Sequence, residues 1–164
     1  MNIKYAWAMP NNLTFDIKPI GKFIEKKGLT IDPFSNRKHP FADITNDINP
    51  ESDTHFNICA LEFLRGFDQN SIDTLLFDPP YSLRQLKEVY SGIGMNLNYH
   101  HTTRFFADIK DEISRIVKPG GAVFSFGWDS VGMGKNRGFT KSDLLLICHG
   151  GAHHDTICLK EVKK

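Results

Sequence analysis

Asp78-Pro79-Pro80-Tyr81 carries the densest chemistry in this chain. It follows an apolar run, Ile72 to Phe77, that reads as a buried strand. Consecutive prolines fix the backbone and remove N–H groups. That leaves an outward carbonyl at Pro79, the Asp78 carboxylate and the Tyr81 ring around one small space. Two acceptors can hold an exocyclic NH2 while the ring stacks on the plane that bears it. The chemistry implied is the gripping of a planar amine.

Two other constellations are weaker. Cys148, His149, His153, His154 and Cys158 have spacings compatible with zinc ligands from both strands of a hairpin. Against this, neighbouring residues on a strand point to opposite faces, and there is no CxxC. Solvated histidines at a turn and core cysteines are the better reading, so no metal is expected. The stretch Val131 to Gly138 is rich in glycine, but Gly134-Lys135 is followed by Asn136 where a phosphate-binding P-loop needs Ser or Thr.

The elements that must position these groups follow from periodicity. Lys18 to Gly28 predicts a short helix, with Ile20, Phe23 and Ile24 at helical spacing. Strands are expected at 29–33, at 42–47 and, more weakly, at 55–58. A helix is expected at 60–67, with Leu61 and Leu64 inward. A fourth strand covers 72–78. Phe105, Phe106, Ile109, Ile113, Ile116 and Val117 form an apolar stripe on a helix over 105–117. Lys118-Pro119-Gly120-Gly121 is expected to stop it. A fifth strand follows at 122–128. Segments 144–149 and 156–162 should pair as an antiparallel hairpin. Residues 1–15 read as an irregular lead-in. Strands alternating with helices and closing on a hairpin predict an α/β fold, a mostly parallel sheet with one reversed strand. Ligands then sit beyond the strand carboxyl ends, where Asp32, Asp47 and Asp78 all fall.

With those positions set, the chain resembles the DNA amino-methyltransferases that use S-adenosylmethionine (SAM) to modify adenine N6 or cytosine N4. Asp78-Pro79-Pro80-Tyr81 matches their catalytic motif. Ile31-Asp32-Pro33-Phe34-Ser35 resembles the first cofactor motif, and Thr45 to Pro50 the end of the second strand. Val117-Lys118-Pro119-Gly120-Gly121 resembles a turn common to class I methyltransferases. The resemblance implies a Rossmann-like class I fold over a single domain, 1–164. It implies Asp78, Pro79, Pro80 and Tyr81 as catalytic residues, and Asp32, Pro33, Phe34, Asp47 and Ile48 as cofactor contacts. Asp47 would accept from the ribose hydroxyls. Thr14 and Lys18 precede the first motif, where such families hold the methionine end. Cys59 stands where the family often has Asp before a helix. A further departure is Ser35 to Pro40, a short segment without glycine where the family has a glycine-rich loop and a helix.

Methyl transfer to adenine N6 in DNA is the expected activity. An RNA base methyltransferase, acting on guanine N2 or adenine N6, and an inactive binding or assembly module of the same fold stand as alternatives. Segments 82–104 and 131–140 are the expected nucleic-acid loops, through Arg84, Lys87, Arg104, Lys135 and Arg137. A homodimer or a specificity subunit would supply the recognition surface that the chain lacks.

Bulk properties agree. A length of 164 residues suits one domain with a real core. A net charge of +1 gives no global attraction for nucleic acid, so any contact needs a local patch. No apolar run approaches a membrane span. Three cysteines provide no disulfide framework, and a reducing cytoplasm is the expected compartment.

Overall fold

The computed structural model describes residues 1–80, 91–92, 99–151 and 153–164. Seven strands form one sheet: β1 Asn2–Trp7, β2 Thr30–Asp32, β3 Ile44–Thr45, β4 Ile72–Phe77, β5 Val117–Gly127, β6 Phe139–Cys148 and β7 Thr156–Lys163. Their order is β1-β6-β7-β5-β4-β2-β3. β2, β3, β4 and β5 are mutually parallel, β1 is parallel to β6, and β7 runs against both β5 and β6. The α-helices among the described residues include α1 Lys18–Phe23, α2 Ala60–Arg65 and α3 Tyr99–Ile116.

Side-chain alternation along the central strands divides the core in two. On one face Leu75, Phe77 and Val123 pack against Phe63 and Leu64 of α2 and Phe105, Ile109 and Ile113 of α3. On the other, Leu76, Phe124 and Phe126 meet Ile20 of α1 and Leu145 and Ile147 of β6. A strand buried on both faces needs an unbroken apolar run, which is what Leu75-Leu76-Phe77 supplies. The apolar stripe of α3 is buried, with Ile109, Ile113 and Ile116 fully enclosed. No described helix is long and apolar enough to cross a membrane.

The mostly parallel sheet with its reversed C-terminal strand is as the sequence predicts. Several local expectations are corrected. Residues 1–15 are no irregular lead-in, because Asn2–Trp7 forms an edge strand on β6. The strand expected at 55–58 shrinks to a single bridge between Asn46 and Phe56. The strand expected at 42–47 is only Ile44–Thr45, and the helix expected over 18–28 ends at Phe23. His149 is buried rather than solvated. Its ring nitrogens lie 2.8 Å from the Ala8 carbonyl and 2.8 Å from Thr156 Oγ1, which pins the end of β1 to the hairpin.

The Lys118-Pro119-Gly120-Gly121 turn also differs from expectation. α3 already ends at Ile116, and the turn lies inside β5. Ile72 pairs with Val117 and Thr74 with Ala122, so residues 118–121 bulge out of the ladder. Pro119 is tolerated there because a bulged residue owes the ladder no N–H. Gly121 is required by close approach. A Cβ on it would lie 2.9 Å from the carbonyl oxygens of Asp73 and Lys118. Backbone cannot yield as a side-chain tip does, so Gly121→Ala should cost about 1–3 kcal/mol. Urea unfolding should show a lower midpoint with an unchanged slope.

Candidate active site

The carboxyl ends of β2, β3 and β4 meet at one rim of the sheet. Asp32 closes β2 and is fully buried. Its Oδ1 accepts the Phe34 N–H at 3.0 Å, and its Oδ2 lies 3.0 Å from His39 Nε2. Burial pushes the Asp32 carboxyl up, against the hydrogen bonds from His39 and Phe34 that favour its charge. Burial is the larger effect, and the upward direction is physically sound for a carboxylate with no access to water.

His39 comes from the short segment that stands in place of a glycine-rich loop. Its ring packs 4.5 Å from Phe15, and its side chain is nearly as inaccessible as that of Asp32. The buried Nδ1 has no hydrogen-bond partner. The same segment is held by Ser35 Oγ donating to the Arg37 carbonyl and by an Arg37–Asp16 ion pair.

Asn46, directly after β3, is fully buried. Its amide nitrogen donates to the carbonyls of Pro33 at 3.1 Å and Ile58 at 3.0 Å, and its side-chain oxygen accepts the Ile58 N–H. One side chain therefore ties together the segments following β2 and β3 and the one preceding α2. Asp47 comes next and is half-buried. Its carboxylate accepts the Asn49 N–H at 2.7 Å. Burial is the main cause that raises its pKa, with the neighbouring Asp32 charge adding to it and hydrogen bonds from Asn49 and Ser52 opposing it. Ile48 and Cys59 are partly buried against the α2–α3 core, and Cys59 caps α2 without a side-chain hydrogen bond.

Two clefts flank the end of β4. The first, about 40 Å³, is lined by Asp78 with Thr14, Phe34, Ser35, Arg37 and His39. The second, about 200 Å³, is lined by Phe77, Pro79, Pro80, Phe106, Lys110 and Trp128. The motif thus stands between them, Asp78 lining one and Pro79 and Pro80 the other. Trp128 is half exposed at the mouth of the second cleft, 4.8 Å from the His154 ring, and is not a core residue. Tyr81, Arg84 and Lys87 lie outside the described residues.

The remaining sequence candidates divide. Thr14 reaches the first cleft; Lys18, at the start of α1, is not among its lining residues. Pro33 is buried, and its carbonyl serves Asn46. Phe34 packs edge-on against Phe77 at 5.9 Å. Arg104 and Lys135 are exposed, whereas Arg137 is engaged by Asp111 at 2.7 Å.

Periodicity and motif leave four residues of this rim unassigned. His39 and Asn46 are not on regular elements and act through tertiary contacts. Lys110 lies one helical turn after Phe106, beside the core stripe of α3, and that i,i+4 spacing was its only signal. It is half-buried, donates to the Gly132 carbonyl at 2.8 Å, and burial lowers its pKa. Glu161, fully buried on β7, accepts the N–H groups of Met133 at 2.6 Å and Gly134 at 3.3 Å. It thereby holds the loop whose carbonyl Lys110 uses. A Cβ on Gly132 would collide with Glu161 Oε2 at 2.2 Å. Cys158 is a structural thiol: burial, helped by the Asp78 charge, pushes its pKa up and leaves it unreactive.

No family model matches the chain. It is 33% identical over 67 residues to the type II methyltransferase M.HpaI of Haemophilus parainfluenzae, a match spanning 41% of this chain and 20% of that protein. Among solved structures it is similar to a 1,6-didemethyltoxoflavin-N1-methyltransferase of Burkholderia thailandensis that was determined with S-adenosylhomocysteine. The TM-score is 0.59 at 11% identity, covering 90% of this chain and 77% of that one. It is also similar to an rRNA methylase of Streptococcus thermophilus, with a TM-score of 0.53 at 13% identity, covering 96% of this chain and all of that one. The fold is the Rossmann-like α/β fold of class I methyltransferases.

Asp47 offers a test of this electrostatic description. A carboxyl whose folded pKa lies above its unfolded value stabilises the fold relatively more at low pH. That advantage is lost as pH rises from the unfolded value through the folded one. Asp47→Asn keeps an oxygen for the Asn49 N–H and removes the buried charge. It should raise stability at neutral pH, with the gain fading below about pH 4. Thermal melts of both proteins across that range would show it.

Proposed function

We propose that this chain transfers a methyl group from SAM to the exocyclic amine of a nucleobase, adenine N6 in DNA first. The observation that carries the reading is the placement of Asp78-Pro79-Pro80 at the end of β4, between two clefts. The local likeness to M.HpaI supports DNA as the substrate class.

The residues present suit the donor in type. Thr14, Ser35 and Arg37 surround the small cleft beside Asp78 with hydroxyl and cationic groups fit for an amino-acid end. The unpartnered His39 Nδ1 adds a polar atom at the same place. Asp47, a half-buried carboxylate kept ionisable beyond β3, suits ribose hydroxyls. Cofactor contacts are assigned to Phe34, which lines the small cleft, and to Asp47 and Ile48, with Cys59 at the position the resemblance places beside the adenine; Asp32, covered by His39, supports them from behind. When bound, SAM supplies an electrophilic methyl on a sulfonium.

The chain's own contribution is alignment. A nucleobase amine is a poor nucleophile because its lone pair is delocalised into the ring. Hydrogen bonds from the NH2 to the Asp78 carboxylate and the Pro79 carbonyl favour a more tetrahedral nitrogen and direct the lone pair. Orientation of this kind lowers such barriers substantially. The surplus proton, acidic only after methylation, leaves through Asp78. The second cleft takes the base, with Pro80 and Trp128 as flat apolar walls and Tyr81 as a stacking partner. In duplex DNA the base must first leave the stack, at a cost of roughly a few kcal/mol. Arg104 and Lys135 provide phosphate contacts, joined by Arg84 and Lys87 from the 82–104 segment; Arg137 contributes only if its pair with Asp111 opens.

One observation favours the inactive alternative. His39 fills the space beside Asp32 that a glycine loop would leave open. Calorimetry with S-adenosylhomocysteine decides: the proposal expects binding, weakened in Asp47→Ala, and absence of heat at saturating ligand would overturn it. Given binding, tritiated-methyl transfer should label DNA rather than RNA, with N6-methyl-2′-deoxyadenosine as the product nucleoside. Asp78→Ala should lower that transfer by about a hundredfold or more, a loss larger than any fall in ligand affinity.

A further inference from the structure

The strand β1 carries a feature that methyl transfer does not use. Met1, Ile3, Tyr5, Trp7 and Met9 are each between 52% and 72% exposed. Ile3, Tyr5 and Trp7 alternate along the strand and so share one face, and Met1 and Met9 continue the same spacing just beyond its ends. Five large apolar side chains in one row expose several hundred Å², which is at or above the largest patch of about 300–600 Å² on a typical monomer. The strand is also the last in its sheet, bonded to β6 on one side only. Its ladder with β6 runs without a shift from Asn2↔Asp143 to Trp7↔Cys148. Proteins usually blunt such an edge with a bulge, a proline or charged side chains. Between Asn2 and Trp7 the single device of this kind is Lys4.

We propose that β1 pairs with β1 of a second copy, antiparallel about a two-fold axis at Tyr5, joining two seven-stranded sheets into one. The residues match themselves in this register. Tyr5 faces Tyr5, Ile3 faces Trp7 and Met1 faces Met9, all on the apolar face. On the other face Lys4 meets Ala6 and Asn2 meets Ala8. Moving the axis to Lys4 would set two ammonium groups opposite each other, which is unfavourable. Moving it to Ala6 would set Met1 against the polar Asn11 and Asn2 against Pro10, which has no N–H for a ladder. Aromatic and aromatic–aliphatic cross-strand pairs are the stabilising kind. The isologous contact also closes after two copies, so it makes a dimer and no fibre. A net charge of +1 per copy opposes association only weakly.

Sedimentation equilibrium over a concentration series tests the pairing. The native chain should reach twice its monomer mass, and Tyr5→Lys should weaken association by at least about tenfold. Tyr5 is the most exposed of the row, so this variant leaves the core untouched and should melt as the native chain does. Mild oxidation should link Tyr5→Cys to itself across the axis. Met9→Cys should not self-link, since the register sets its two copies about 27 Å apart. A native chain that stays monomeric at every concentration would overturn the proposal. So would a dimer that survives Tyr5→Lys and leaves Tyr5→Cys unlinked.

Discussion

The carboxamide of Asn46 is the fastening on which the rim of the sheet depends. The segment from Pro33 to Asp43 contains no crossover helix, and the ladder between β2 and β3 stops at Asp32 and Thr45, so no regular element holds the segments just beyond it. Asn46 does so by using two donors and one acceptor, a set that only an amide side chain offers in so small a volume. Away from water these bonds are electrostatically strong, and losing any of them would strand a buried polar group. Asp32 and Asp47 stand on either side of this link. Their separation is therefore set by a short ladder and the hydrogen-bonded side chain that extends it rather than by helix packing.

A second line of support runs along the opposite side of the motif. Glu161 on the reversed strand holds the loop at Met133 and Gly134. That loop presents the Gly132 carbonyl to Lys110, and Lys110 lines the cleft behind Pro79 and Pro80. A buried carboxylate thus orients a cation at the cleft through main chain alone. Groups held within roughly half an ångström by such supports are what a binding site needs if alignment is to matter.

Much of the architecture was legible in the residue order, for identifiable reasons. β4, β5 and α3 are buried on long apolar faces, and their periodicity announces them. The position of Asp78-Pro79-Pro80 was legible because it is local, three consecutive residues directly after β4. β1 was not, even though Met1, Ile3, Tyr5, Trp7 and Met9 alternate perfectly. The row faces away from the core, so it looked like noise beside the buried strands. The lost strand at 55–58 failed for another reason: Asn46 takes up the main-chain groups of Ile58 that a ladder would have used. His39 escaped because its significance lies in a contact with Asp32 seven residues earlier, across a turn that no propensity describes.

The seating of β1 on β6 bears on how the polypeptide reaches its final form. The Asn2 side chain bonds to Asp143, 141 positions away, and the ring of His149 secures the Ala8 carbonyl from the same distance. On a ribosome, residues 2–7 emerge well before β6, Asn2 being 141 positions ahead of the residue it bonds. Contacts of such long sequence separation form slowly. In the interval a greasy, unaccompanied ribbon is open to wrong partners. The hairpin of β6 and β7 is local, so β1 must await it before it can find its berth.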